Sequence, residues 1–162
     1  MPTTADVAIL MGSKNDWEVM RHAANTLREF DVACEARVLS AHRTPAETAD
    51  YVKKADAAGT KVFIAAAGMA AHLAGAVAAH TVRPVLGVPL AASELNGLDA
   101  LLATVQMPPG VPVGTLAIGK PGAVNAALLA VAIIANERPA LRAALLEYRK
   151  RRSQTILGEK LV

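Results

Sequence analysis

Five short strand-like segments, each followed by a stretch with helical spacing, constrain the fold of this chain more than any other feature. They cover residues 7–11, 32–39, 62–67, 85–88 and 113–118. The first and third are continuous apolar runs, which are typical of strands covered on both faces. Strands that alternate with helices pair in parallel, because the helices supply the crossover connections. The pattern predicts an α/β fold with a doubly wound, parallel five-stranded sheet in a three-layer αβα arrangement.

Helical spacing is found between these segments. The predicted helices cover residues 17–30, 45–58, a short segment from about 70, 95–105, 124–135 and 139–154. Pro45 suits the first position of its helix, and Gly59 suits the end. The helix over 124–135 has no polar stripe after Asn125, so we expect it to be buried on all sides, with its outward face covered by another subunit. We predict a single domain over residues 1–162, with a C-terminal helix at 139–154 and a tail at 155–162.

Composition argues against several classes of function. Hydrophobic residues make up 53% of the chain but aromatic residues only 3%, too few for a platform on which nucleic-acid bases stack. Without the basic run at 149–152 the formal net charge falls from +3 to −1, so the body of the protein lacks a broad positive surface. The Ala- and Gly-rich run at 62–79 contains His72 and breaks at Gly68, which argues against a membrane span. We expect a soluble, cytoplasmic protein that binds neither nucleic acid nor membrane.

The segment Ser40-Ala-His-Arg-Thr-Pro45 carries the strongest chemical signal. A histidine gives and takes a proton near neutral pH, which makes His42 a candidate general acid and base. The planar fork of donors on Arg43 suits a phosphate or carboxylate, and the start of a helix also attracts anions. The alternative is a solvated turn in which His42 and Arg43 are neighbours by chance.

Three polar segments follow directly after predicted strands. They are Gly12-Ser13, Ser40 to Arg43, and Gly68 to His72. In a doubly wound sheet the carboxyl ends of the strands share one edge, where ligands bind, so we expect these segments to form one site. The Ser13 hydroxyl and neighbouring backbone N–H groups are suited to a phosphate. Asp16 is either the N-cap of the helix that begins at Trp17 or an acceptor for ribose hydroxyls.

Other signals are weaker. The run from Gly114 to Pro121 is one residue away from a phosphate-binding P-loop, but Pro121 stands where a magnesium-binding hydroxyl is needed, which argues against an ATPase. His72 and His80 are eight residues apart, which is not a metal-ligand spacing, so no metal site is predicted. His72 is either a histidine of the core or of a subunit interface, or a residue of the site. Cys34 is the only cysteine, so no internal disulfide is expected.

Seven short motifs together resemble the PurE family. They come in the order and spacing of that family: Met11-Gly-Ser-Lys-Asn-Asp-Trp17, Ser40-Ala-His-Arg-Thr-Pro45, Ala70-Ala-His-Leu73, Gly87-Val-Pro89, Val105-Gln-Met-Pro108, Gly110-Val-Pro112 and Asn125-Ala-Ala-Leu-Leu129. The resemblance covers residues from about 7 to about 135. It is closer to class I, the N5-carboxyaminoimidazole ribonucleotide mutases, because class II relatives typically have lysine where this chain has Arg43 and lack the Ala-His-Leu segment.

The resemblance implies a flavodoxin-like fold assembled as a homo-octamer, and a reaction in purine biosynthesis. Carbon dioxide moves from the exocyclic nitrogen of a nucleotide substrate to carbon 4 of its imidazole ring, without ATP, metal or biotin as a cofactor. By position, Ser13, Asp16 and Arg43 are expected to bind the nucleotide, and His42 to be the general acid and base. The other expected substrate-binding residues, some as apolar lining for carbon dioxide, are Ser40, Gly68, Ala70, Ala71, His72 and Leu73.

The chain departs from the family pattern at three positions. Asn15 stands where the family often has serine, Met69 where it usually has glycine, and Ala74 where it usually has proline. These departures affect the expected rim of the pocket rather than the reaction.

Three other functions are consistent with parts of the sequence. Direct carboxylation of aminoimidazole ribonucleotide is the class II reaction. A non-catalytic nucleotide-binding module would keep Ser13 and Arg43 but would not need His42. A flavodoxin-like electron carrier fits the fold, but the chain has few aromatic side chains to hold a flavin.

Overall fold

Five parallel strands form the sheet at the centre of residues 5–161, the part of the chain that this computed structural model describes. The strands are β1 (Val7–Met11), β2 (Cys34–Val38), β3 (Val62–Gly68), β4 (Val85–Leu90) and β5 (Gly114–Thr115). Their order across the sheet is β2-β1-β3-β4-β5, and every neighbouring pair is parallel. This is the flavodoxin-like order, in which the direction of winding reverses between β1 and β3. The predicted doubly wound sheet is confirmed.

Helices cover both faces of the sheet. They are α1 (Trp17–Glu29), α2 (Pro45–Ala58), α3 (Leu73–Ala78), α4 (Leu98–Val105), α5 (Lys120–Ile134) and α6 (Pro139–Gly158). Helices α1 and α5 pack on one face with α6 against them, and α2, α3 and α4 pack on the other. Within residues 5–161, no helix combines the length and the apolar character needed to cross a membrane.

The side chains of β1 alternate between these two faces, as in any strand. Val7, Ile9 and Met11 join the core beneath α1 and α5. Ala8 and Leu10 join the core beneath α2 and α3. All five side chains are at most 2% exposed, which is why the sequence of this strand is continuously apolar rather than alternating.

Three helices begin at positions that differ from the predicted ones, and backbone conformation explains each case. Helix α3 begins at Leu73 rather than near 70, because the chain turns at Met69, which has a φ of 56°. Helix α4 begins at Leu98 rather than at 95, after Asn96 and Gly97, which both have positive φ. Helix α5 begins at residue 120 rather than at 124, because a proline in its first turn costs no hydrogen bond.

Strand β5 and helix α6 differ most in length from the prediction. Strand β5 has two residues instead of the predicted 113–118. Beyond it, single hydrogen bonds from Leu116 N–H to the Gly87 carbonyl and from Gly119 N–H to the Pro89 carbonyl, each 2.9 Å long, hold the chain beside β4 without a regular ladder. Helix α6 continues to Gly158 rather than ending at 154, since residues 155–157 contain neither glycine nor proline.

Within one chain, helix α5 is buried over most of its circumference but not on all sides. Ala126, Ala130 and Ile134 are at most 1% exposed, whereas Leu129 is 40% exposed. Leu141 and Leu145 of α6 pack against the same core. The outer face of α5 is therefore only partly covered within one chain.

Gly122→Ala is expected to lower the free energy of unfolding by about 3 kcal/mol, at the upper end of the cost of overpacking. A methyl group at Gly122 would overlap the backbone carbonyl of Ala117, which cannot move as a side chain can. Gly158→Ala is the matched control, since nothing lies within 4 Å of the added methyl group, and it should change stability by no more than about 1 kcal/mol. Urea unfolding of both variants measures the difference, and equal midpoints would contradict the expectation.

Candidate active site

A cavity of about 510 Å³ opens at the carboxyl edge of the sheet. It lies where the strand order reverses, which is the usual ligand position in this type of fold. Its walls come from the loops after β1, β2, β3 and β4. The lining residues are Gly12, Ser13, Asn15, Asp16, Ser40, Ala41, His42, Arg43, Ala67, Gly68, Met69, Ala70, His72, Leu73 and Ala92. The expected meeting of three polar segments at one edge is confirmed.

Of the residues expected in the site, only Ala71 does not line this cavity. Its side chain is 2% exposed, whereas its neighbours Ala70 and His72 are exposed and face the cavity. In the turn that precedes α3, the chain therefore presents alternate residues to the cavity, and Ala71 packs into the interior.

The loop that carries His42 is closed by hydrogen bonds between its two ends. Ser40 N–H donates to the Thr44 hydroxyl at 2.9 Å, and Thr44 N–H donates to the Ser40 carbonyl at 2.9 Å. Arg43 N–H donates to the Ser40 hydroxyl oxygen at 3.2 Å. The polar atoms of Ser40 and Thr44 are thus used to hold the loop, while the side chains of His42 and Arg43 remain exposed at the cavity.

Arg43 connects the loops that follow β1 and β2. Its Nη2 donates to the Gly12 carbonyl at 2.6 Å, and its Nε donates to the Ser40 hydroxyl at 3.4 Å. A guanidinium has five N–H donors, so these two contacts fix its plane and leave donors for an anion. The structure thus places a fixed positive charge beside Ser13 in the cavity wall.

Asp16 occupies the N-cap position of α1, but its side chain makes no capping hydrogen bond to that helix. Its Oδ2 instead accepts the backbone N–H of Ser13 at 2.9 Å, while the Ser13 hydroxyl accepts the N–H of Asn15 at 3.2 Å. These bonds form a capping box around a short 3-10 helix, Lys14–Asp16. Partial burial raises the pKa of Asp16, and backbone hydrogen bonds and the charge of Arg43 oppose that shift.

His42 and His72 contact each other directly. His42 Nε2 lies 2.7 Å from His72 Nδ1, and the rings meet edge to face with centroids 4.8 Å apart. At that distance one nitrogen carries the proton and the other the lone pair. The contact therefore couples the tautomers of the two rings and fixes their orientation at the cavity. His72 is exposed at the cavity and is not a histidine of the core.

The other segments considered above lie elsewhere. None of the residues from Gly114 to Pro121 lines the cavity. Among residues 5–161, no group of three His, Cys, Asp or Glu side chains is arranged to hold a metal ion. Cys34 is half-buried and packs against the core.

Comparison with known proteins decides the family. The family model for AIR carboxylase matches residues 6–155. The chain belongs to the AIR carboxylase family. It is 54% identical over 153 residues to the N5-carboxyaminoimidazole ribonucleotide mutase of Brucella melitensis, with 94% of each chain covered. The mutase of Saccharolobus solfataricus is 59% identical over 128 residues, with 79% of this chain and 80% of that protein covered.

A solved structure agrees with this assignment. The crystal structure of Treponema denticola PurE matches with a TM-score of 0.85 and 26% identity, and the match covers 93% of both chains. The resemblance to the PurE family seen in the seven motifs is confirmed.

Six lining residues of this AIR carboxylase family member had no predicted role in binding: Gly12, Asn15, Ala41, Ala67, Met69 and Ala92. Ala92 follows β4, so the rule that placed the other loops at the carboxyl edge also applies to it, but alanine carries no chemical signal. Asn15 is one of the three departures from the family pattern. Its backbone N–H holds the Ser13 hydroxyl, a contact that any residue other than proline makes.

Asp16→Asn is expected to keep the fold and to leave the free energy of unfolding at neutral pH unchanged or higher. The amide retains an oxygen that accepts the Ser13 N–H, while the cost of partly burying a charge is removed. Because the pKa of Asp16 is raised in the folded state, the folded protein binds this proton more tightly than the unfolded chain, and the wild-type carboxylate lowers stability only at higher pH.

If Asp16→Asn has a higher free energy of unfolding than wild type at neutral pH, this difference should therefore shrink as pH falls from about 5 to about 3, the range in which carboxyl groups titrate. Urea unfolding of both proteins across that range measures it. A variant that is clearly less stable than wild type at neutral pH would show that the charge of Asp16 stabilises the fold.

Proposed function

We propose that this protein is an N5-carboxyaminoimidazole ribonucleotide mutase of purine biosynthesis. The observation that carries the proposal is the position of His42, which lies in one cavity with the anion-binding candidates Ser13 and Arg43. The family assignment supports it, since relatives that are 54% and 59% identical carry the mutase name.

The phosphate of the nucleotide is assigned to the end of the cavity formed by Ser13 and Arg43. The Ser13 hydroxyl accepts one backbone N–H and retains its own proton to donate. Arg43 offers charged donors whose plane is already fixed by Gly12 and Ser40. Charged hydrogen bonds to a phosphate are strong, and a fixed fork loses little side-chain freedom on binding. Asp16 is assigned to the ribose hydroxyls.

His42 is assigned both proton transfers. It first donates a proton to the carbamate nitrogen, and the N–C bond breaks with its electron pair staying on nitrogen, which releases carbon dioxide. Carbon 4 of the imidazole then attacks the carbon of carbon dioxide, and a C–C bond forms. His42 finally takes the proton from carbon 4, so that the ring regains its aromatic state. The proton balance is zero, and no oxidant or further reactant is needed.

Carbon dioxide carries no charge, so the part of the cavity near His42 should be small and apolar. Ala70 and Leu73 line that part, and Leu73 is 2% exposed. A site that excludes water also limits the loss of a reactive intermediate. Gly68 also lines the cavity, at the end of β3.

His72 is assigned a positioning role. Its Nδ1 contact sets the orientation and the tautomer of His42, much as a partner group does in other acid–base pairs. A residue that only orients the proton carrier should cost less activity when replaced than the carrier itself.

A turnover assay with the carbamate substrate, followed by the ultraviolet absorbance of the product, tests the proposal. We expect product without ATP, and faster turnover from the carbamate than from aminoimidazole ribonucleotide with bicarbonate. The reverse preference would indicate the direct carboxylase, and binding without turnover would indicate a nucleotide-binding module.

His42→Asn should lower turnover at least ~10²-fold, because asparagine cannot transfer a proton near neutral pH. Nucleotide affinity should stay within about tenfold of wild type, because Ser13 and Arg43 are unchanged. His72→Asn is the comparison, and its turnover should fall less. Steady-state kinetics and a binding titration of both variants measure these effects. An active His42→Asn beside an inactive His72→Asn would place the proton carrier on the loop after β3.

The protein is also proposed to assemble as a homo-octamer in the cytoplasm. Besides Leu129 on α5, α4 presents Leu98, Leu102 and Val105 at helical spacing, each at least 47% exposed. Apolar side chains along one side of a helix usually pack against another surface.

Leu102→Glu is expected to lower the assembled mass measured by light scattering at micromolar concentration, because a charge would replace an apolar contact between subunits. Leu161→Glu is the control, since its site lies beyond α6 and is fully exposed. A wild-type protein with the mass of a monomer would contradict the assembly.

A further inference from the structure

Met69 has an unusual backbone conformation for its residue type. It is one of three non-glycine residues with positive φ among residues 5–161, and the other two are Asp31 and Asn96. Aspartate and asparagine are tolerated in this left-handed region, whereas a bulky apolar side chain there is an outlier. Such outliers persist where the surroundings impose them, often at functional sites.

The surroundings of Met69 hold it at the cavity. Gly68, directly before it, packs so closely under the loop after β4 that a Cβ there would lie 2.5 Å from the Ala92 Cβ. After it, His72 N–H donates to the Ala70 carbonyl at 2.9 Å and closes a tight turn. The backbone at Met69 is fixed on both sides, so the direction in which its side chain leaves the backbone at the cavity wall is fixed as well.

The side chain of Met69 is 59% exposed although it lines the cavity. It therefore lies at the rim, in the segment that also supplies Ala70 and His72 to the end of the cavity where His42 lies. A methionine side chain is unbranched and flexible, and adapts its shape to an apolar neighbour. Among the lining residues of the cavity, only Met69 combines a left-handed backbone with a long, exposed apolar side chain.

We propose that Met69 covers the reacting end of the bound nucleotide and retains carbon dioxide between the breaking of the N–C bond and the formation of the C–C bond. This inference rests on the proposed function. Carbon dioxide is neutral and forms only weak hydrogen bonds, so an arginine or a serine cannot hold it, whereas an apolar cover blocks its escape. The left-handed backbone of Met69 directs the side chain toward this end.

Isotope exchange tests retention directly. The 4-carboxy nucleotide is incubated with the enzyme in ¹³C-bicarbonate buffer, with carbonic anhydrase present to equilibrate bicarbonate and carbon dioxide. Mass spectrometry then gives the label in the carboxylate, and absorbance gives the interconversion of the two carboxylated nucleotides. Retained carbon dioxide returns unlabelled, whereas escaped carbon dioxide is replaced by labelled gas. The ratio of label incorporation to interconversion therefore measures escape.

Met69→Gly should raise this ratio about tenfold, the effect of removing an apolar contact of this size from a barrier to escape. Met69→Ala should raise the ratio too, because it also removes the apolar cover, but it keeps a Cβ and so avoids the added backbone freedom of glycine. Met69→Leu keeps an apolar cover and should stay near wild type. Asp31→Gly is the control for backbone strain, because Asp31 also has a left-handed backbone but lies just after the C-terminal end of α1, away from the cavity. It should leave the ratio unchanged even if it shifts the midpoint of unfolding.

The outcomes distinguish a failure of the proposed function from a failure of the proposed role of Met69. Wild-type protein without interconversion would overturn the proposed function, and the role of Met69 with it. Wild-type interconversion with the same ratio in Met69→Gly and Met69→Ala would overturn only the role of Met69, whose conformation would then serve the turn alone. Equal label incorporation and interconversion in the wild type would show that no residue retains the gas.

Discussion

The pairing of β1 with both β2 and β3 is the interaction on which the site depends. Met11 is level with Val38 of β2 and with Ala66 of β3, so the three strands end at one edge and deliver their loops to the same place. The register is maintained because β1 is buried on both faces, and a shift by one residue would move every side chain to the opposite core. The distance between Arg43 and Gly12 is a consequence of that register.

The loops above this edge are held mainly by their own hydrogen bonds. Ser40 with Thr44, and Ser13 with Asp16, each close a short segment locally. The side chains of Arg43 and His42 are in turn oriented by contacts with Gly12 and His72 on other loops. The arrangement carries a cost, because Asp16 is partly buried with its pKa raised. Sites that place charge in a confined space generally reduce stability in this way.

Much of the fold was predictable, because buried parallel strands leave continuous apolar runs and Pro45 with Gly59 mark the ends of α2. The starts of α3 and α4 were not, since they depend on left-handed residues such as Met69 and Asn96 that have no distinct pattern in the sequence. In the site, His42 and Arg43 carried their own chemical signal. The contact between His42 and His72 joins residues 30 positions apart, and only the register of β1 with β2 and β3 brings them together.

The strand order also has a consequence for the growing chain. Val7 pairs with both Cys34 and Val62, so β1 can gain its first neighbour early in synthesis but must wait for its second until another 28 residues have followed Cys34. During that interval, one edge of an entirely apolar strand has no partner. Parallel pairing over such separations is slow and leaves strand edges open to aggregation. The segment that supplies α2 therefore sets how long this edge of β1 stays unpaired in a nascent chain.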